Sequence, residues 1–475
     1  MSQKLISRRA FLKAGLGAGT AAFVAACAPA QAPAPAAPTA AKAEPAKATP
    51  VPAPPTAAPV PTAAPRVMGT GPVEIVVWYQ DWDGANKILN SMTPKFLETH
   101  PAAKVNLQAI GYNDLFAKLL PSIAAGTEGD VMNMYTDWIV GTDIKQVFLD
   151  ITEPAGGAKN LAEQMWPAAF SAIDVPQGKV YYLPWLAGIR GAALTVNKDH
   201  MAEKGIDYLK FKSFEEVVQA GMQLTQKNSS GKVTRAGFSP RNSQYQLLWS
   251  LIWQLGGNMF DKEKGKWTHS TPEGEAAAQM IHDLYWKQQT CDFELFTNEY
   301  EAVSQKLVSM WGDGAWTCGA QTDVAKIPAD NIVTPFLANA KVKALYPQHM
   351  AGWGLSKRLA KEPAKMKVAL DYAQALVSPD ATIQAFDFYS GVCGTKAVYT
   401  DPRINQMKYG PISKRVAEGM WPVAKYTQDH VANHAPASTE LDRAMRNEIS
   451  IRQALLNMDK YLQEQEDQAR ERIKG

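Results

Sequence analysis

The 475-residue chain is 46% hydrophobic and 20% charged, which supplies a large core and excludes an intrinsically disordered protein. Its formal charge of +3 falls to −1 once Lys4, Arg8, Arg9 and Lys13 of residues 1–26 are set aside, so the basicity belongs to the front of the chain. Beyond it no Lys/Arg-rich run is interleaved with aromatics, which excludes nucleic acid as a partner class.

After that basic head, Ala14 to Ala26 is uncharged but only 13 residues long, too short to span a bilayer and of the size of an export signal. Ser7-Arg8-Arg9-Ala10-Phe11-Leu12-Lys13 resembles the twin-arginine signal, which implies export of an already folded protein. Cys27 follows Val24-Ala25-Ala26 and resembles a bacterial lipobox, although valine stands where leucine is commonest. The resemblance implies cleavage before Cys27 and a diacylglyceryl group on its sulfur; the plain alternative is an incidental cysteine inside an ordinary cleavable signal. Ala28 to Arg66 holds 12 prolines and 16 alanines with no aromatic residue, so it can form no core and is expected to be a semi-rigid spacer. Residues 1–26 are thus expected to be a lipoprotein signal peptide and 27–70 a lipidated cysteine with a disordered tether.

From Pro72 the pattern changes. Val73–Tyr79 is a short β-branched run ending in Gln80-Asp81-Trp82-Asp83-Gly84, and Ile88, Leu89, Met92, Phe96 and Leu97 then repeat at helical spacing up to His100-Pro101. Lys104–Ile110 predicts a second strand, Leu115, Phe116, Leu119, Leu120 and Ile123 a second helix, and Gly129–Tyr135 a third strand. Strand, helix, strand, helix, strand implies a parallel sheet covered by helices, with ligands beyond the carboxyl ends of the strands. The unusual residues collect at those ends: Asp81, Trp82 and Asp83 after the first strand, Asp137 and Trp138 after the third. Toward the other end, Glu440 to Ile473 is charge-rich, with Leu441, Met445, Ile449, Ile451, Leu455, Leu456 and Tyr461 at helical spacing, a packed helical section with a solvated face.

Seven segments, "VVWYQDWDG", "AAGTEGDV", "GKVYYLPW", "TVNKD", "QLGGNMFD", "GDGAW" and "AGWGLSK", occur in an order that resembles the family 1 extracellular solute-binding proteins, the receptors of ABC importers that include the maltose-binding type. The resemblance implies an α/β fold of two lobes, each a mostly parallel sheet flanked by helices, with a ligand cleft between them. It places the N-terminal lobe at 71–188 plus 350–395 and the C-terminal lobe at 189–349 plus 396–475.

A sugar ring has an apolar face and a rim of hydroxyls, so indole plates beside carboxylates and amides suit it. Trp82, Trp138, Trp316 and Trp353 lie beside glycine or a carboxylate and are expected to line a pocket, whereas Trp249, Trp253 and Trp286 sit in apolar helical runs and are expected in the core. Carried over position by position, the resemblance gives Asp81, Trp82, Asp83, Tyr135, Asp137, Trp138, Arg190, Gln244, Tyr245, Trp316 and Trp353 as ligand contacts. Arg190 departs from the polar or acidic residue many relatives place there; it suits a hydroxyl pair or a ligand carboxylate, or pairs with a nearby aspartate.

The body contains no G-x-S-x-G, H-E-x-x-H, C-x-x-C or Walker-A motif. His430 and His434 are four apart, yet no third ligand is evident and surface histidines are the simpler reading. The enzymatic rival is a secreted glycoside hydrolase with Asp81 and Asp83 as its carboxylate pair, but alternate loop positions rarely face each other across a substrate. An adhesin or scaffold would not need the strand-end cluster. Among Cys291, Cys318 and Cys393 one disulfide is permitted outside the cytoplasm, with no pairing indicated by the sequence; buried free thiols are the expected state. The expectation is a monomeric, non-enzymatic binding lipoprotein of an ABC importer, without cofactor or metal, held at the outer face of the cytoplasmic membrane at the cell surface or in the periplasm. It captures a sugar or oligosaccharide, with an acidic or phosphorylated solute such as a sugar phosphate as the alternative, and delivers it to a membrane permease.

Overall fold

The computed structural model describes residues 66–135, 147–166, 178–187, 193–297, 299–320, 322–345, 350–420 and 435–474. The signal, Cys27, Asp137, Trp138, Arg190, His430 and His434 lie outside the described residues.

Strand β1 (Arg66–Met68) takes in residues whose composition assigns them to the spacer. It is followed by β2 (Val73–Gln80), helix α1 (Asp83–Thr99), β3 (Ala103–Ile110), helix α2 (Tyr112–Ala125) and β4 (Val131–Tyr135). The expected strand and helix succession is therefore met. β2 runs parallel to β3 along its whole length, from Val73 opposite Ala103 to Gln80 opposite Ile110, and parallel to β4 at Val77 and Trp78. In α1 the buried residues Ile88, Leu89, Met92 and Phe96 repeat at helical spacing. Gly126 ends α2 in the left-handed region, φ 67°, which costs glycine no side-chain clash. Asp130, fully buried before β4, accepts from the Val76 amide at 2.7 Å and pairs with Arg358 and with Lys365 at 3.0 Å. Those bonds satisfy a carboxylate that burial alone would make costly.

The chain then adds β5 (Tyr182–Ala187) to this sheet and leaves it. A second sheet is built from β6 (Ala193–Asn197), β7 (Gln226–Lys227) and β8 (Val233–Ser239), with β9 (Phe260–Asp261) and β10 (Lys266–Trp267) forming a separate two-stranded ribbon. It is completed by β11 (Val308–Trp311) and β12 (Ala329–Val333) in the order β12-β6-β11-β8-β7. Finally β13 (Met350–Leu355) and β14 (Val392–Cys393) return to the first sheet, whose order is β1-β3-β2-β4-β13-β5-β14. The sheets are mixed rather than mostly parallel. β2, β3 and β4 are parallel, as are β8 and β11, but the returning strand β13 pairs antiparallel with β4 and β5, and β6 pairs antiparallel with β11 and β12.

Two hydrophobic cores follow the two sheets. The first gathers Ile75 to Leu186 and Ala351 to Ala417, the second Leu194 to Leu337 and Ala437 to Leu462. The first lobe was expected to close near residue 395, but Val398, Tyr399, Ile404 and Val416 belong to its core. The helix Gly410–Met420 carries Val416 into that core while Arg415 pairs with Asp330 of β12. It therefore packs on both halves. At the C-terminus the helices Ala435–Met445 and Ile451–Lys474 bury Leu441, Met445 and Leu455 as their spacing predicts, whereas Leu456 is exposed.

Candidate functional site

The carboxyl end of β2 opens the site. The Asp81 amide bonds to the carbonyl of Ile110, the last residue of β3, at 2.8 Å, and the Trp82 carbonyl accepts from the Asn86 amide at 3.0 Å as α1 begins. The loop is thereby fixed at both ends, with Asp81 and Asp83 exposed and Trp82 half-buried. At the neighbouring strand end Tyr135 donates its hydroxyl to Gln80 Oε1, and Tyr112 meets the Tyr135 ring edge-on at 5.5 Å. Three of the sequence-expected residues, Asp81, Trp82 and Tyr135, thus lie at the carboxyl ends of the neighbouring strands β2 and β4, with Asp83 opening the adjoining helix.

Trp82 rests on glycine. A methyl group at Gly84 would lie 1.9 Å from the indole, so the ring lies flat where a side chain would stand. The same arrangement occurs at Trp316 over Gly314, also 1.9 Å, and at Tyr389 over Gly391, 2.4 Å. Each half-buried ring sits over a glycine two positions away, which places a flat apolar surface close to the backbone at little conformational freedom.

The segment Tyr389-Ser390 joins the Trp82 ring to the loop that carries Trp316. The Tyr389 ring lies 6.3 Å from that of Trp82. Ser390, fully buried, donates to the Ala315 carbonyl at 2.5 Å and accepts from the Gly319 amide at 2.9 Å. Ala315 precedes Trp316 in the loop that follows β11. On its other side that loop is held by Thr317, whose hydroxyl reaches the Gly314 carbonyl at 2.9 Å and Thr195 at 2.6 Å, and by Asn331, which donates to the Ala315 carbonyl. The strand ends of the two sheets therefore meet through one short segment of chain.

Under the second half of the site lie two buried carboxyls, Glu299 and Asp313. Glu299 Oε1 accepts from the Oγ of Ser239, the last residue of β8, at 2.6 Å and from the Arg241 amide just beyond it at 2.9 Å. Burial, aided by the charge of Asp313, pushes the Glu299 carboxyl up to about 8. Gln244, in the next turn, is buried with its Oε1 lacking a hydrogen-bond partner, an acceptor at the edge of the same loops.

Three expectations are corrected. Trp353 lies not in a loop but inside β13, fully buried, with its ring 5.1 Å from Trp185. Its flanking glycines serve packing: a methyl group at Gly352 would strike the Tyr182 ring and one at Gly354 the Phe148 ring. Tyr245 is turned into the second core, its hydroxyl hydrogen-bonded to His269 Nε2 at 3.2 Å and the two rings stacked. Trp286, expected in the core, is half-exposed and donates Nε1 to the Met445 carbonyl at 2.8 Å. Trp249 is buried and Trp253 packs partly buried against the same core. Cys291, Cys318 and Cys393 are buried and form no disulfide.

Tyr112, Tyr389 and Ser390 escape the sequence reading. The signal that could have found Tyr389 is the aromatic-x-Gly spacing it shares with Trp82 and, in reverse, with Trp316. A cavity of about 710 Å³ between the helix Ala158–Gln164, Val377–Pro379 and Thr395–Ala397 contains none of these aromatic residues. Among the described residues no group of three or more His, Cys, Asp or Glu side chains could hold a metal ion, and no helix is long and apolar enough to cross a membrane.

Two mixed α/β lobes with aromatic and carboxylate loops at their strand ends have the architecture of a two-lobed solute-binding protein. The chain belongs to the family of bacterial extracellular solute-binding proteins, whose sequence model matches residues 81–383. Its fold is similar to the maltose/maltodextrin-binding domain of Bdellovibrio bacteriovorus bound to maltotriose: TM-score 0.65 at 17% identity, covering 83% of this chain and 100% of that one. An ABC substrate-binding protein of Listeria monocytogenes in complex with cycloalternan gives TM-score 0.66 at 18% identity, covering 82% and 98%. UgpB of Mycobacterium tuberculosis in complex with glycerophosphocholine gives 0.68 at 14%, covering 84% and 99%. No curated protein matches the sequence.

Proposed function

We propose that this chain is the substrate-binding lipoprotein of an ABC importer, capturing a sugar or oligosaccharide between its lobes and presenting it to a membrane permease. The observation that carries the reading is the convergence of the Trp82 ring and the loop carrying Trp316, from the strand ends of different sheets, on the shared segment Tyr389-Ser390. The indoles would cover the apolar faces of sugar rings, while Asp81, Asp83, Tyr135 and Gln244 bind the hydroxyl rim. Asp137, Trp138 and Arg190 complete the proposed set from outside the described residues. Ligand contacts on both lobes favour the closed form because the ligand binds that form better than the open one.

The structural neighbours in complex with maltotriose and with cycloalternan support carbohydrate as the ligand class. The one in complex with glycerophosphocholine makes a phosphorylated polyol the second reading, with Arg190 as the cation to receive it. The family is one of binding proteins, and the site is read here as binding without chemistry. The front of the chain is read as a twin-arginine signal followed by lipid attachment at Cys27, which holds a monomer at the outer face of the membrane.

The test is calorimetric titration of the purified protein with maltotriose, cycloalternan, tagatose and glycerophosphocholine, followed in parallel by indole emission. Binding of a saccharide with a change in emission is the expected result. Binding of glycerophosphocholine alone selects the second reading, and silence across the panel overturns both.

A further inference from the structure

Asp81 is the acidic residue nearest Trp82 on the strand side, and its carboxylate is not left to find its own orientation. Asn86, one turn into α1, donates Nδ2 to Asp81 Oδ1 at 2.8 Å. The opposite end of that amide is saturated: Asn86 Oδ1 accepts from Tyr79 Oη at 2.7 Å and from Arg66 Nη2 at 2.8 Å. A guanidinium can only donate, so the oxygen of the amide must face Arg66 and the nitrogen must face Asp81. Arg66 also donates to the Tyr79 hydroxyl and, through Nη1, to Asn90 Oδ1 at 2.7 Å. The fork is thus spread over two positions of α1 and Tyr79, the penultimate residue of β2. Tyr79 is fully buried and Arg66 half-buried, so the chain of donors is sheltered and polarised by the arginine charge. Among the described residues Asp81 Oδ2 has no hydrogen-bond partner, while Asp81 itself is exposed.

We infer that Arg66, Tyr79 and Asn86 form a positioning relay that orients the Asp81 carboxylate, one oxygen toward Asn86 and the other free for a hydroxyl of the ligand. This rests on the reading of the Asp81-Trp82-Asp83 loop as a ligand contact. It also makes β1, the strand that directly follows the Pro/Ala-rich segment, a working part of the binding loop: Arg66 is its first residue. The relay sets geometry ahead of binding, so a hydroxyl pair meets an acceptor already in place, which lowers the ordering cost of association.

The test compares the full chain with Asn86→Asp, Arg66→Lys and Trp82→Ala. Asn86→Asp keeps the acceptor for Tyr79 and Arg66 but replaces the donor facing Asp81 with a second carboxylate oxygen. The expected result, against whichever of maltotriose, cycloalternan, tagatose or glycerophosphocholine the parent binds, is an affinity loss of about tenfold or more. The melting temperature should hold, and a crystal structure should show the Asp81 side chain in a different rotamer. Arg66→Lys, which retains the charge without the fork, should lose less affinity than Asn86→Asp. Parent-like affinity and an unmoved Asp81 in Asn86→Asp would overturn the relay while leaving the binding loop standing. Parent-like affinity in Trp82→Ala, or a parent silent across the four probes, overturns the loop as a ligand contact and the relay with it.

Discussion

Ser390 Oγ donates to the carbonyl of Ala315 at 2.5 Å, joining a residue of the returning first-lobe segment to the loop that carries Trp316. The same hydroxyl accepts from the Gly319 amide, so both hydrogen-bonding roles of one buried serine are used between segments 75 and 71 residues apart in sequence.

Ser390→Ala removes both bonds and leaves the buried Gly319 amide with only the Trp316 carbonyl, 3.1 Å away. A loss of about 1–3 kcal/mol is expected, read from the shift of the urea midpoint at unchanged slope. Ligand affinity should fall as well, because the Trp316 loop is released on one side.

Gly84→Ala and Gly314→Ala place a methyl group where the indoles of Trp82 and Trp316 lie, 1.9 Å from each ring. Both rings are half-buried rather than set in a core, so the fold should survive while the plates move. Altered near-ultraviolet circular dichroism and a weakened ligand response, with a melting temperature close to that of the parent, are expected.

Trp82→Ala and Trp353→Ala should separate a ligand plate from a core residue. Truncating the fully buried Trp353 should cost about 3–5 kcal/mol of stability through the cavity it leaves. Trp82→Ala should cost far less stability and most of the ligand affinity. Equal effects of the two on binding at matched stability would place Trp353 back at the ligand.

The first lobe was readable because its signals are local: β-branched runs and helical repeats of Ile88, Leu89, Met92 and Phe96 give the strands and helices without knowledge of what packs on them. Site residues depend on what arrives from elsewhere. Gly352-Trp353-Gly354 has the composition of a loop, yet its glycines make room for Tyr182 and Phe148, residues about 170 and 206 positions earlier that no local rule can supply. Trp286 fails in the opposite sense, since an apolar helical run does not say which face the neighbouring helix covers. Tyr389 acquires its meaning only through Trp82, some 300 residues away.

Glu299 makes stability depend on pH in a predictable sense. Burial opposes its charge and pushes the folded carboxyl up to about 8 from an ordinary value of 4.5. Below 4.5 both states are protonated and nothing is lost; between 4.5 and 8 the unfolded chain releases a proton that the folded one keeps, so stability falls as pH rises and levels off above 8. Glu299→Gln keeps the acceptor for Ser239 and Arg241 and removes the titration. It should flatten the decline between pH 5 and 8 in melting curves; an identical slope in both proteins would exclude Glu299 as its source.

Cys291, Cys318 and Cys393 stand as separate interior thiols, so none of them cross-links the two halves. Reductant should leave the melting curve where it was, and the body can reach its final shape in a reducing compartment, with no oxidase required downstream to complete it.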